Sequence, residues 1–131
     1  MTSTTTAYTT DLDELLADLG DIDDGGMRLI LAGIRDIADR ARAGTLTRER
    51  TQLILAVLAA SPDATDVLGA FGLLIGEITG DTTPALHRLT DKARKTAVRS
   101  GQEAAFRLTD DYLREPASEA CAALDHTAHW P

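Results

Sequence analysis

Arg88, Lys92, Lys95 and Arg99 recur at i, i+4, i+7 and i+11, a spacing that lines side chains along one face of a helix. At about 100° per residue Phe106 falls on the same line, while Leu86, Leu89, Ala93, Ala97, Ala104 and Leu108 take the opposite side. Cations beside an exposed aromatic ring are a docking chemistry, because they combine charge-assisted hydrogen bonds with an apolar anchor. Such a face accepts an acidic protein, a phosphate backbone, or the chain's own acidic segment. That segment holds Asp11, Asp13, Glu14, Asp18, Asp21, Asp23 and Asp24, all before the first basic residue, Arg28. The plainer reading is a solvated helix face, with Asp91 placed to support Lys95 at i+4.

A second basic constellation lies in residues 37–58, where a helix, the turn Ala43-Gly44-Thr45-Leu46 and another helix have a helix-turn-helix layout. Arg48, Arg50, Thr51 and Gln52 then occupy the first turns of the second helix, from which a recognition helix contacts base edges. Against this, the following run Leu53 to Ala60 (LILAVLAA) is apolar on every side and is expected to be buried. An ordinary helical hairpin is therefore the first reading and nucleic-acid contact the second.

Gly69, Gly72, Gly76 and Gly80 cluster on one side of an apolar helix whose other side carries Val67, Phe71, Leu74 and Ile78. Each mid-helix glycine costs up to about 1 kcal/mol against alanine, so the row implies close approach of another backbone. Packing within the chain comes first, and a homodimer seam second.

Catalytic and metal chemistry find little support. Glu77 is a lone carboxylate in an apolar helix; buried, it could serve as an acid or base, and at an edge it is an ordinary surface charge. Cys121, Asp125, His126 and His129 match no zinc spacing, and the glycines of the fourth helix lack the lysine of a phosphate loop. No catalytic residue, metal or cofactor is expected.

The elements that must position these residues are helical throughout. The 131 residues are 44% hydrophobic but 4% aromatic, so the core must come from Leu, Ile, Val and Ala, which favours helix-on-helix packing. Thr10 is expected to cap a first helix ending at Gly20, with Asp11, Asp13 and Glu14 suiting its positive end and Leu12, Leu15, Leu16 and Leu19 facing inward. A second helix carries Met27, Ile30, Ile34, Ile37, Ala38 and Ala41 and stops at Gly44, and Thr47 caps a third. Ser61-Pro62 opens a fourth, and Thr83-Pro84 opens one long helix over 84–115, which Ser100-Gly101 could bend. A short helix from Ala117 to Leu124 follows Pro116.

The expectation is an all-α protein, a compact bundle of five or six helices over residues 10–125, between a flexible tail at 1–9 and a second tail at 126–131. The apolar runs are too short to span a bilayer, and the Thr-rich start lacks the features of a secretory signal, so the setting expected is cytoplasmic. A net charge of -8 opposes whole-molecule attraction to nucleic acid or anionic membrane. These features together favour a small regulatory protein, adaptor or inhibitor in type and not an enzyme, binding a protein partner through Arg88, Lys92, Lys95, Arg99 and Phe106. A nucleic-acid-binding regulator stands second and an enzyme built on a buried Glu77 third.

Overall fold

A computed structural model describes residues 4–126, with side chains described from Asp11 onward. The chain is all-α. Among the described residues six α-helices run in order: α1 (Thr4–Leu19), α2 (Gly25–Arg42), α3 (Arg48–Leu55), α4 (Val67–Ile78), α5 (Asp91–Leu108) and α6 (Glu115–Ala123). Most of the tail at 126–131, with His129 and Trp130, lies outside the described residues, as do Met1 to Ser3 of the tail at 1–9. The chain divides into two compact units between Leu46 and Thr47.

The first unit is a hairpin of α1 and α2. Here α1 begins at Thr4, so the expected start at Thr10 is corrected: the helix propagates through the Thr-rich stretch, each added residue contributing one backbone bond. Asp11, Asp13 and Glu14 consequently stand outside the first turn and beyond the reach of the helix dipole that was to explain them. Asp24 caps α2 by accepting from the Met27 amide at 2.8 Å. Gly44, at φ 71°, ends it in the left-handed conformation, with the Thr45 amide donating back to the Arg40 carbonyl at 3.1 Å. Between the two helices Arg42 meets Asp13 at 3.0 Å. Of the expected inner face of α1, Leu16 is buried at 4% exposure, whereas Leu15 and Leu19 are exposed. Two helices alone cannot enclose a full apolar stripe.

The second unit holds α3 to α6. Thr47 caps α3 through the Arg50 amide, as its sequence position suggests, and α3 runs into a π-helical turn at Ala56–Ala60. That turn meets α6 and α4, and α6 also packs on α3. The expected burial of Leu53 to Ala60 is not met: Leu53, Val57 and Leu58 are exposed, because α4 and α6 cover one side of this segment and its other side stays open. Pro62 opens a short 3-10 turn, Pro62–Ala64, and α4 begins five residues later than Pro62, capped by Asp66. The reason is in the backbone, where Asp63 and Ala64 both adopt positive φ and cannot continue a right-handed helix.

The stretch expected as one long helix is in fact three pieces: a 3-10 turn at Pro84–Arg88, the continuous α5, and a 3-10 turn at Asp111–Arg114 leading into α6. Thr90 causes the first break, because its hydroxyl accepts from the Ala93 amide and starts a new helix. Ser100-Gly101 does not interrupt α5. Gly101 is buried instead against the side chain of Thr79, whose hydroxyl donates to the Ile75 carbonyl.

Candidate docking site

Four helical turns of α5 carry the basic face. Thr90 sets the helix start, which places Lys92, Lys95 and Arg99 at i, i+3 and i+7, with Phe106 two turns beyond Arg99 on the same side. All four are exposed, Phe106 to 67%. Arg88 belongs to the preceding 3-10 turn, and the extended backbone of Leu89 separates it from the helical register of the other three. It therefore stands beside the face and not in line with it.

Within the second unit, none of Arg88, Lys92, Lys95 and Arg99 has a described carboxylate within ion-pairing distance. The support expected from Asp91 goes to Arg94 at 3.1 Å instead, and Arg94 also lies 3.9 Å from Asp81. Arg107 pairs with Glu103 at 3.2 Å. The cations of α5 thus separate into neutralised ones, Arg94 and Arg107, and free ones on the Phe106 line. Lys92 sits in the first turn, where the helix dipole disfavours a cation by roughly 0.3–1 kcal/mol. A charge that local structure disfavours and no neighbour compensates is available to an external anion.

The scaffold behind this face is the seam between α4 and α5. A Cβ on Gly72 would lie 2.9 Å from the Leu108 Cβ and 3.0 Å from the Ala105 carbonyl oxygen, and one on Gly76 would lie 3.5 Å from the Ala105 Cβ. Two members of the glycine row therefore admit α5. Gly69 instead approaches the carbonyl of Ala64, and Gly80 sits over carbonyls at the end of its own helix.

One buried ion pair ties the ends of this scaffold together, and sequence reasoning missed it. Arg114 donates to Asp66 through both Nε (3.0 Å) and Nη2 (2.7 Å), a forked pairing in which both residues are buried. Its Nη1 donates to the carbonyls of Leu108 and Asp110 at the end of α5. Asp66 also accepts from the amides of Gly69 and Ser61. The Arg114 guanidinium holds the Asp66 carboxyl below its ordinary value, and the carboxylate raises Arg114 in return. The cap on α4 and the terminus of α5 share one charge pair. No local signal marks it, since the partners are 48 residues apart.

The remaining candidates have ordinary surroundings. Gln52 donates to the Cys121 carbonyl at 3.2 Å and to Asp125 at 2.8 Å, so its amide is engaged by α6 and by Asp125, two residues beyond it, instead of being free to read a base. Arg48 pairs with Glu49 at 3.3 Å, and Thr51 donates to the Thr47 carbonyl, whereas Arg50 is exposed. The two helices of the helix-turn-helix layout, α2 and α3, belong to different units, so neither unit holds that motif by itself. Glu77 is exposed and does not form the buried acid that an enzyme reading requires. The Cys121 thiol, half-buried, donates to the Gln52 carbonyl. No group of residues able to hold a metal is found among the described residues, and no described helix is long and apolar enough to cross a membrane. One concavity, about 760 Å³, has its described lining on α5 alone, from Arg99 to Arg107, an open shelf along one helix. No protein family, curated protein or solved structure matches this chain.

Proposed function

We propose that this chain is a non-enzymatic interaction protein, adaptor or inhibitor in type, that docks an acidic protein surface on the outer face of α5. The observation that carries the reading is the sorting of charge on that helix. Arg94 and Arg107 are neutralised by neighbours, whereas Lys92, Lys95 and Arg99 stand free in line with an exposed Phe106. An exposed aromatic ring in line with unpaired cations combines the elements of an interface, with Phe106 as anchor and the cations, the nearest of them Arg99 two turns away, selecting an anionic partner. Arg88 adds charge at the rim. Phosphate backbones are disfavoured by the net charge of -8 and by the engagement of Gln52.

The test compares capture from a nuclease-treated lysate of the native host by wild type and by the Lys92→Glu/Lys95→Glu/Arg99→Glu variant, both checked for equal helicity. A photo-crosslinking residue at position 106 reports the contact directly. A partner that crosslinks at 106 and is lost with the charge reversal supports docking there. Equal capture by both proteins, with no crosslink, overturns it.

A further inference from the structure

We infer that the acidic partner of the α5 face is held by one carboxylate side chain in the notch between α5 and the loop after α4, an inference that rests on the docking reading above. Arg94, Val98 and Gln102 stand at i, i+4 and i+8 and line the notch, with Lys95 and Arg99 along its outer edge. Asp81 forms the other wall. The described lining lies within the second unit and encloses about 480 Å³, toward the low end of ligand clefts, which run roughly 300–1,000 Å³. Hydrogen bonds fix the loop. The Gly80 amide and the Thr83 hydroxyl both donate to the Glu77 carbonyl, the Thr83 amide donates to the Gly80 carbonyl, and a ring nitrogen of His87 meets the Asp81 carbonyl at 3.1 Å.

Charge assigns the occupant. Arg94 lies 3.1 Å from Asp91 and 3.9 Å from Asp81, whereas Lys95 and Arg99 have no described carboxylate within ion-pairing distance. Three cations therefore face two carboxylates, a surplus of one positive charge, which a single carboxylate balances and a doubly charged phosphate exceeds. Asp81 is the looser of the two carboxylates: at 3.9 Å it is beyond hydrogen-bond reach, and its side chain is 79% exposed. It stands where an incoming carboxylate would bind, a placeholder that the partner displaces. Half-buried Val98 gives the notch an apolar floor, on which charge pairing is stronger than in open water. Gln102 adds amide donors at the end nearer Phe106, which is one turn further on. A partner segment with a carboxylate and an apolar side chain roughly 10 Å apart, the span from Arg99 to Phe106 at about 1.5 Å per residue, fills the notch and covers the ring together.

The experiment follows fluorescence anisotropy of a labelled peptide of alternating glutamate and leucine, with its glutamine counterpart as reference, on full-length chains checked for equal helicity. Wild type should bind the glutamate peptide at least about tenfold more tightly. Gln102→Glu sets a carboxylate of the chain's own beside Arg99 in the notch and should weaken binding about tenfold. Asp81→Asn removes the placeholder and should strengthen binding about threefold, while Glu119→Gln, the same change of charge on α6, should leave it unchanged. Equal effects of Asp81→Asn and Glu119→Gln overturn the inference by reducing it to net charge. So does a wild type that does not distinguish the peptides, or a Gln102→Glu chain that binds as wild type. A gain of about tenfold in Asp11→Asn/Glu14→Gln/Asp18→Asn also overturns it, by showing that the chain's own acidic segment occupies the notch. Displacement of the peptide by inorganic phosphate but not by acetate at equal ionic strength overturns it in favour of a phosphoryl ligand. A foreign protein that crosslinks at position 106 equally on wild type and on Gln102→Glu leaves docking on α5 standing and excludes the notch; absence of both crosslink and peptide binding up to about 1 mM removes both readings.

Discussion

Asp66 illustrates how one side chain can hold several elements in place. It caps α4, accepts from Ser61 and meets Arg114, whose guanidinium in turn gathers two carbonyls at the end of α5. Asp66→Asn keeps an acceptor for the cap but leaves Arg114 buried without a counter-charge, an arrangement that costs about 3 kcal/mol. Urea unfolding at pH 7 should show that loss in the midpoint with little change in slope. Because the folded carboxyl is depressed by Arg114, its contribution is complete above the ordinary aspartate value of 3.8 and is lost as the pH falls through the lower, folded value. Asp66→Asn should therefore flatten the acid limb of the stability profile, measured by unfolding between neutral and strongly acid pH. The pair was not legible in the sequence, because its two partners lie on different elements and each looks like an ordinary surface charge. Gly101 behaves similarly: its sequence position suggests a bend, but its missing side chain admits Thr79. Gly101→Ala should lose about 2 kcal/mol in thermal unfolding despite alanine's better helix propensity, since the Thr79 hydroxyl would have to move.

At the scale of elements, the helix ends on either side of the Gly44 turn were legible and the boundaries after proline were not. Thr47 begins α3 and Gly44 ends α2, both by local hydrogen bonds that residue type specifies. Pro62 misled because it opens a 3-10 turn followed by Asp63 and Ala64 at positive φ, and the helix restarts at Asp66. Ala64→Gly removes the penalty of a left-handed alanine and should raise the melting temperature, with a gain of about 1 kcal/mol. The reverse substitution, made in α4, should destabilise. Gly72→Ala brings a Cβ against Leu108 and Ala105, so separating α4 from α5 should cost about 2 kcal/mol, read by the urea midpoint. The basic face was legible as a helical line through Lys92, Lys95, Arg99 and Phe106. Its extension to Arg88 was not, because Thr90 starts a new helix and the turn before it has a different periodicity.

For the whole molecule, the distribution of exposed apolar residues matters more than net charge. Leu15, Leu19, Leu53, Leu73, Leu74, Ile78 and Phe106 all remain exposed, and Phe106 is the one that shares a helix line with the free cations of α5. Phe106→Ala should weaken partner capture about tenfold while leaving thermal stability within about 0.5 kcal/mol, because its ring is anchored in neither core. A Phe106→Ala chain that binds as wild type would place the docking centre elsewhere. The amino-acid sequence by itself determined the all-α class, the Thr47 cap of α3 and the Gly44 end of α2, the separation of an acidic start from a basic later helix, and the face on which Lys92, Lys95 and Arg99 lie. These follow from local hydrogen bonding and from the periodicity of the helix, which act over a few residues. Tertiary structure alone decided which glycines meet another helix, which arginines are neutralised, that Asp66 and Arg114 form a buried pair, and that the LILAVLAA segment stays half open. Those outcomes depend on pairings between residues far apart in the chain, where burial and charge compensation are properties of the neighbours and not of the residue itself.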